Sequence, residues 1–114
     1  MIGPVWIAGG TTEGRKLAGY AARFQVKAYV SVATEYGASL LPVSPYVTVL
    51  EGRMDEGQME GFLKDKGIRL AVDATHPYAD QATANIRQAC RDNRGVRLLR
   101  CLREEGDIFT RDNA

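Results

Sequence analysis

The sequence predicts a Rossmann-like α/β domain, an open parallel sheet of about five strands with helices on both faces in a single lobe. Short apolar runs alternate along the chain with segments whose apolar residues recur at helical spacing, and this alternation calls for a parallel sheet covered on both faces. The first apolar run, Val5 to Ala8, ends in two glycines and leads into a helix start. With 114 residues, 45% of them hydrophobic and 25% charged, the chain fits one globular domain.

The individual elements follow from apolar runs, caps and breakers. Strands are predicted at residues 5–8, 26–32, 46–50, 70–72 and 96–99, and helices after Thr11 or Thr12, from Asp55 to Gly67 and over 79–93. Asp55 with Gln58 three residues later is a capping-box pattern, residues 33–37 are expected to form a loop, and the predicted strand order is 3-2-1-4-5. The domain is assigned to residues 1–103, and residues 104–114, which have little apolar content, are expected to be a fraying tail or the start of a second lobe.

Charge and cysteine content exclude several classes of function. The net charge of +1 gives no long-range attraction to nucleic acid or to an anionic membrane. Cys90 and Cys101 form no metal-binding spacing with the single histidine, so no metal site is expected, and the sequence indicates a reduced, cytoplasmic protein. The longest apolar runs are far shorter than the ~20 residues that span a bilayer, and the first residues do not resemble a signal peptide.

A phosphate-binding loop is predicted at residues 9–14, Gly-Gly-Thr-Thr-Glu-Gly, between the first strand and the first helix. Glycines let the backbone approach a pyrophosphate closely, and the N-terminus of the helix attracts the anion. Gly9, Gly10, Thr11 and Thr12 are therefore candidate contacts of a dinucleotide cofactor. The pattern departs from G-x-G-x-x-G because Thr11 holds the middle position, and a tight turn without a ligand is the alternative.

The end of the second strand is where Rossmann domains select the ribose of the cofactor. Ser31 and Thr34 could donate hydrogen bonds to a 2′-phosphate, and Arg53, just after the third strand, could pair with one. Glu35 could instead accept from a 2′-hydroxyl, so the choice between NADPH and NADH stays open. Tyr36 is a candidate substrate contact, with packing against the sheet edge as the alternative.

Polar residues crowd the end of the fourth strand, where Asp73, Thr75, His76 and Tyr78 fall within six residues. Since parallel strands end at one sheet edge, this segment is expected to face the same site as the glycine loop. The imidazole of His76 could donate a proton, and Asp73 could fix its tautomer. Pro77 favours an extended conformation at His76. In the alternative interpretation, Asp73 and Thr75 cap the following helix and His76 has a structural role.

Four segments, taken in order, resemble a known family: residues 9–14, 31–37 (Ser-Val-Ala-Thr-Glu-Tyr-Gly), 52–55 (Gly-Arg-Met-Asp) and 73–79 (Asp-Ala-Thr-His-Pro-Tyr-Ala). Over residues 4–103 the chain is similar to the precorrin-6A and cobalt-precorrin-6A reductases of cobalamin biosynthesis. The resemblance implies an oxidoreductase that transfers hydride from NADPH or NADH to a ring double bond of a tetrapyrrole. It also implies specific contacts: cofactor phosphates and ribose near Gly10, Thr11, Thr12, Ser31 and Thr34, the nicotinamide or macrocycle near Thr75, His76 and Tyr78, and substrate carboxylates on Arg100 and Arg103.

The same resemblance bears on the proton donor and on whether this sequence covers the whole enzyme. His76 is the expected proton donor, with water as the alternative. Members of the family carry a second α/β lobe, with the substrate between the lobes, and this sequence stops where that lobe would begin. Glu104 stands where the family has proline. We therefore expect a fragment, or half of a split enzyme, that works with a second lobe or subunit or self-associates. A nucleotide-binding module without its own catalysis is the alternative function.

Overall fold

The computed structural model describes residues 4–104 and 107–112, with side chains described as far as residue 101. Its strands are β1 (Val5–Ala8), β2 (Ala28–Val32), β3 (Val47–Glu51), β4 (Leu70–Asp73), β5 (Arg97–Glu104) and β6 (Asp107–Asp112). Its helices are α1 (Thr12–Arg23), α2 (Glu35–Ser39), α3 (Glu56–Asp65) and α4 (Asp80–Arg91). The strands form one sheet in the order β3-β2-β1-β4-β5-β6, with β1 to β5 parallel and β6 antiparallel to β5. The predicted α/β fold and the order 3-2-1-4-5 are confirmed.

Two segments differ from the sequence prediction. Part of the expected loop at 33–37 is helical, because Thr34 accepts a hydrogen bond from the Gly37 amide at 3.0 Å and so caps the five-residue α2. The tail expected to fray contains β6, whose backbone pairs with β5 along the sheet edge. The β-forming run Ile108 to Thr110 was the available signal for this strand. Both elements are too short to show a clear hydrophobic period.

Each face of the sheet has its own core because successive side chains of a strand point to opposite faces. Ile7 and Val30 pack with α1 and its buried Ala18 on one face. Trp6 packs on the other face with Leu63 of α3 and Ile86 of α4 and with their neighbours. Trp6 is 1% exposed, and burial of one large apolar side chain contributes about 1.5–3 kcal/mol. The two cores fix the positions of the helix N-termini at the carboxyl edge of the sheet.

Helix caps predicted from the sequence are present. Thr11 is the N-cap of α1, and its hydroxyl accepts from the Gly14 amide at 3.2 Å. Asp55 and Gln58 form the predicted capping box at α3, with bonds of 2.8 and 2.9 Å. In the described part of the chain, no helix has the length and apolar character needed to cross a membrane.

Candidate functional site

A cleft of about 510 Å³ lies at the carboxyl ends of β1 to β4, on the face of the sheet that carries α3 and α4. We call it the main cleft. It is lined by residues 8–10, 31–33, 52–54, 75–76 and 78–82, together with Trp6, Met59, Asn85 and Ile86. A pocket of about 250 Å³, the small pocket, lies beside α1 and α2 and is lined by Arg15, Thr34, Tyr36 and Leu40 among others. Gly9 and Gly10 line both cavities, so the glycine loop separates them.

The glycine loop is shaped by two geometric requirements. Gly10 has a φ of +103°, a conformation that residues with a side chain rarely adopt. A Cβ atom at Gly14 would lie 3.0 Å from the Cα of Gly9, so the first turn of α1 approaches the end of β1 closely only because Gly14 lacks a side chain. These glycines let α1 begin directly after β1, with Gly14 and Arg15 of its first turn lining the small pocket.

Thr11 and Thr12, both predicted to contact the cofactor, have hydroxyl groups that already bond within the protein. Thr11 donates to the carbonyl of Ala74 at 2.5 Å while it caps α1. Thr12 accepts from the Arg15 guanidinium at 3.2 Å. Neither residue lines the main cleft. Sequence reasoning missed Arg15, although its position three residues after Thr12 on a helix places the two side chains together.

Ser31 lines the main cleft and is oriented by Trp6, which sequence reasoning treated only as part of a strand. The indole Nε1 of Trp6 donates to Ser31 Oγ at 2.8 Å. Since an acceptor site of the hydroxyl is occupied, the Ser31 proton is available for donation to a ligand. The N–H group of a buried tryptophan usually has a hydrogen-bond acceptor, but the sequence alone does not show which residue provides it. Arg53 lines the same end of the cleft and is exposed.

The predicted ribose and substrate residues do not all converge. Thr34 and Tyr36 line the small pocket rather than the main cleft. Thr34 uses its hydroxyl to cap α2. Tyr36 is 73% exposed, so its ring does not pack against the sheet edge as the alternative interpretation had it.

His76 and Tyr78 line the opposite end of the main cleft, after β4. The Tyr78 amide donates to His76 Nδ1 at 3.2 Å, and the two rings lie 5.4 Å apart. A ring nitrogen that accepts a hydrogen bond carries no proton, so the neutral imidazole of His76 has its proton on Nε2. Both side chains are exposed, and the Tyr78 ring is 86% accessible. This arrangement leaves the Nε2–H group of His76 as a hydrogen-bond donor at this end of the cleft.

Comparison with known proteins shows the family of the chain. The family model described as precorrin-6x reductase CbiJ/CobK matches residues 4–114. The chain belongs to the precorrin-6x reductase family. A cobalt-precorrin-6A reductase of Salmonella typhimurium is 36% identical over 104 residues, which cover 90% of this chain and 38% of that protein. A precorrin-6A reductase of Rhodobacter capsulatus is 34% identical over 84 residues, 74% of this chain and 33% of that protein.

A solved structure of CobK precorrin-6A reductase is 30% identical and has a TM-score of 0.73, covering 90% of this chain and 40% of that one. The chain therefore spans less than half the length of the precorrin-6x reductases that it matches. The likeness confirms the family predicted from the four sequence segments.

In this member of the precorrin-6x reductase family, the Asp73 carboxylate makes no bond to the His76 ring, so the interpretation that Asp73 fixes the tautomer directly is wrong. Its carboxylate is 2% exposed and lies 2.8 Å from an NH of Arg100. The remaining bonds to the carboxylate come from Thr75 (amide 3.0 Å, hydroxyl 2.6 Å) and Thr83 (hydroxyl 2.9 Å). The tautomer of His76 is set by the amide of Tyr78 instead.

The structure tests one of the two arginines predicted to bind substrate carboxylates, Arg100 and Arg103. The Arg100 side chain is 11% exposed, and its NH1 group contacts Asp73, the Thr75 hydroxyl at 3.1 Å and the Thr75 carbonyl at 3.4 Å. Its guanidinium is thus already paired inside the lobe, and it does not line the main cleft. The side chain of Arg103 lies outside the described residues. Thr75 lines the cleft as predicted, but its hydroxyl bonds internally.

The Cys90 thiol and a cluster of three carboxylates lie apart from the main cleft. Burial raises the pKa of the Cys90 thiol from 9.0 to about 11, with a smaller contribution from the charge of Asp73, so this thiol is not a nucleophile at neutral pH. Glu56, Glu60 and Asp92 bring carboxylate oxygens within 4.8 Å of one another, but none of them lines the cleft. Burial and the hydrogen bond to Asp92 raise the pKa of Glu56.

The residues of the main cleft could hold a nucleotide cofactor. The volume of about 510 Å³ lies within the range of small-molecule sites. The backbone at Gly9 and Gly10 could approach a pyrophosphate closely, and Ser31 and Arg53 offer donors beyond it. His76 lies at the other end, after β4.

Proposed function

We propose that this chain is the cofactor-binding lobe of a precorrin-6A or cobalt-precorrin-6A reductase and that it binds NADPH or NADH in the main cleft. The observation that carries the proposal is the convergence of four strand ends, those of β1 to β4, on one cleft in a chain of this family. The bound cofactor supplies the hydride that reduces a ring double bond of the tetrapyrrole. The residues of the chain align the cofactor and hold the proton that completes the reduction.

Each end of the cleft has its own task. The backbone at Gly9 and Gly10 holds the pyrophosphate, and His76 Nε2 carries the proton delivered to the substrate. Tyr78 keeps the tautomer of His76 through its amide and offers a ring face beside it. Donation from Nε2 requires the imidazolium form, in which Nδ1 has taken up a proton from solvent and no longer accepts from the Tyr78 amide; loss of the Nε2 proton to the reduced ring returns the neutral imidazole.

The end of the main cleft that follows β2 and β3 favours a cofactor with a 2′-phosphate on its ribose. Recognition of an unphosphorylated ribose uses a carboxylate after the second strand, whereas a cation accommodates a 2′-phosphate. Among residues 31–33 and 52–54, which line this end, Arg53 is the only charged one. Ser31 adds a hydroxyl whose proton is free to be donated. We therefore propose a preference for NADPH over NADH.

The rest of the reductase belongs to the proposal as well. We assign residues 1–103 to the cofactor lobe and place the precorrin between it and a second lobe or subunit, with Tyr36 and Arg103 as substrate contacts. The family members that the chain matches are longer than this chain, and their additional residues could form such a lobe. Cys90 and Cys101 are free thiols, which fits the cytoplasm.

Cofactor binding is testable on the chain itself. Trp6 is the single tryptophan and lines the main cleft, so NADPH bound there should quench its fluorescence by energy transfer to the reduced nicotinamide. We expect saturable quenching, with NADPH bound about tenfold more tightly than NADH, since a hydrogen bond to a charged group is worth about 1.5–3 kcal/mol. A folded chain, verified by circular dichroism, that shows no quenching and no thermal shift with either form would contradict the proposal. Binding without hydride transfer in the presence of the second lobe would favour the non-catalytic module.

A further inference from the structure

The carboxylate of Asp73 is a junction between three elements of the fold. It accepts from the Thr75 amide and hydroxyl in the loop after β4, from the Thr83 hydroxyl in α4 and from Arg100 in β5. Thr75 and Arg100 share one oxygen, Oδ1, while Thr83 alone bonds Oδ2. Asp73 is 1% exposed, so these bonds replace nearly all of its hydration. The junction therefore fixes the start of the loop relative to α4 and β5.

The first residues of this loop are also held from the side of β1. The Ala74 amide donates to the Ala8 carbonyl at 2.8 Å, and the Thr11 hydroxyl donates to the Ala74 carbonyl. Residues 74 and 75 are thus clamped from both sides, whereas His76, Pro77 and Tyr78 are exposed. The hydrogen bond from the Tyr78 amide to His76 Nδ1 begins directly after the clamp. The placement of His76 in the cleft depends on where the clamp holds Thr75.

We propose that Thr83 and Arg100 are positioning residues that act through Asp73 and Thr75 to hold His76 in the main cleft with its proton on Nε2. Neither residue lines the cleft. Arg100 supplies the charge that makes burial of Asp73 tolerable, and Thr83 orients the carboxylate by its bond to Oδ2. The use of that proton in reduction rests on the proposed function, but the positioning itself is independent of any cofactor.

Thr83→Val is the informative change because it removes one hydrogen bond and keeps the shape of the side chain. His76 is the only histidine of the chain, so its ring nitrogen resonances are assigned without ambiguity. We expect the Tyr78 amide to exchange with solvent about three- to tenfold faster than in the original chain, since one net hydrogen bond is lost. The His76 ring nitrogen shifts should move toward those of a peptide of residues 74–79. Thr83→Ser, which restores the hydroxyl, should restore both signals.

Thr48→Val is the matched control, because Thr48 is exposed on β3 and does not line the cleft. The proposal is overturned if the Tyr78 exchange rate and the His76 shifts are the same in Thr83→Val as in Thr48→Val. It is also overturned if Thr83→Val lowers the melting temperature but changes neither signal. NADPH titration of the same samples separates the two ideas. If the His76 signals respond to Thr83→Val but NADPH does not bind the original chain, the positioning stands and the proposed function fails.

Discussion

Removal of the cation from the buried ion pair, by Arg100→Met, should be among the most destabilising single changes in this lobe. The Asp73 carboxylate would keep its bonds to Thr75 and Thr83 but would lose the guanidinium at 2.8 Å. A carboxylate only 2% exposed cannot be rehydrated without opening the structure. Removing one partner of a buried ion pair lowers the free energy of unfolding by about 3–5 kcal/mol. That is a large share of the whole free energy of unfolding of a typical domain, which is roughly 5–15 kcal/mol.

Urea unfolding followed by the fluorescence of Trp6 measures this loss. Arg94→Met is the control, since Arg94 is exposed, and it should change the free energy of unfolding by less than about 0.5 kcal/mol. In a double-mutant cycle, Asp73→Asn combined with Arg100→Met should cost less than the sum of the two single changes, by about 1–3 kcal/mol. Additive costs, or a loss below about 1 kcal/mol for Arg100→Met as for a surface pair, would refute the assignment of a coupled buried pair.

Three further changes test other parts of the lobe. Arg53→Gln should reduce the preference for NADPH over NADH about tenfold and leave NADH affinity nearly unchanged; equal losses for both cofactors in fluorescence titrations would argue against a 2′-phosphate contact. Gly61→Ala, in the interior of α3 where a Cβ atom meets nothing within 4 Å, should stabilise by up to about 1 kcal/mol, whereas Gly10→Ala should destabilise because of its φ of +103°; both are read from urea midpoints. The pKa of Cys90 is raised by folding from 9.0 to about 11, so its thiol stays protonated in the folded chain while the unfolded chain ionises. Its contribution to stability is therefore complete below pH 9 and is lost as the pH rises toward 11, and Cys90→Ala should show a shallower alkaline decline; parallel curves would contradict this.

Features formed by residues close together in the sequence could be predicted, whereas contacts between residues far apart in the sequence could not. The buried run of β1 and the capping box at Asp55 are visible because every residue involved lies within a few positions of the others. The bond from Trp6 to Ser31 and that from Arg100 to Thr75 each join residues 25 positions apart. The family resemblance gave Arg100 a role in binding substrate carboxylates, and arginines are mostly exposed unless paired. The predicted strand order already placed β4 beside β5, but the register that sets Asp73 opposite Arg100 became visible only in the structure.

Thr11 shows why the glycine loop departs from the usual dinucleotide pattern. Its hydroxyl accepts from the Gly14 amide and donates to the Ala74 carbonyl, so one side chain both starts α1 and ties it to the loop after β4. A glycine at this position would leave the first turn of α1 without its cap, and substitution of a capping threonine costs up to about 2 kcal/mol. It would also release Ala74, which is held on its other side by the Ala8 carbonyl. The departure from glycine therefore fixes the start of α1 relative to the loop that carries His76, and the proposed hydride transfer would require that separation to be constant.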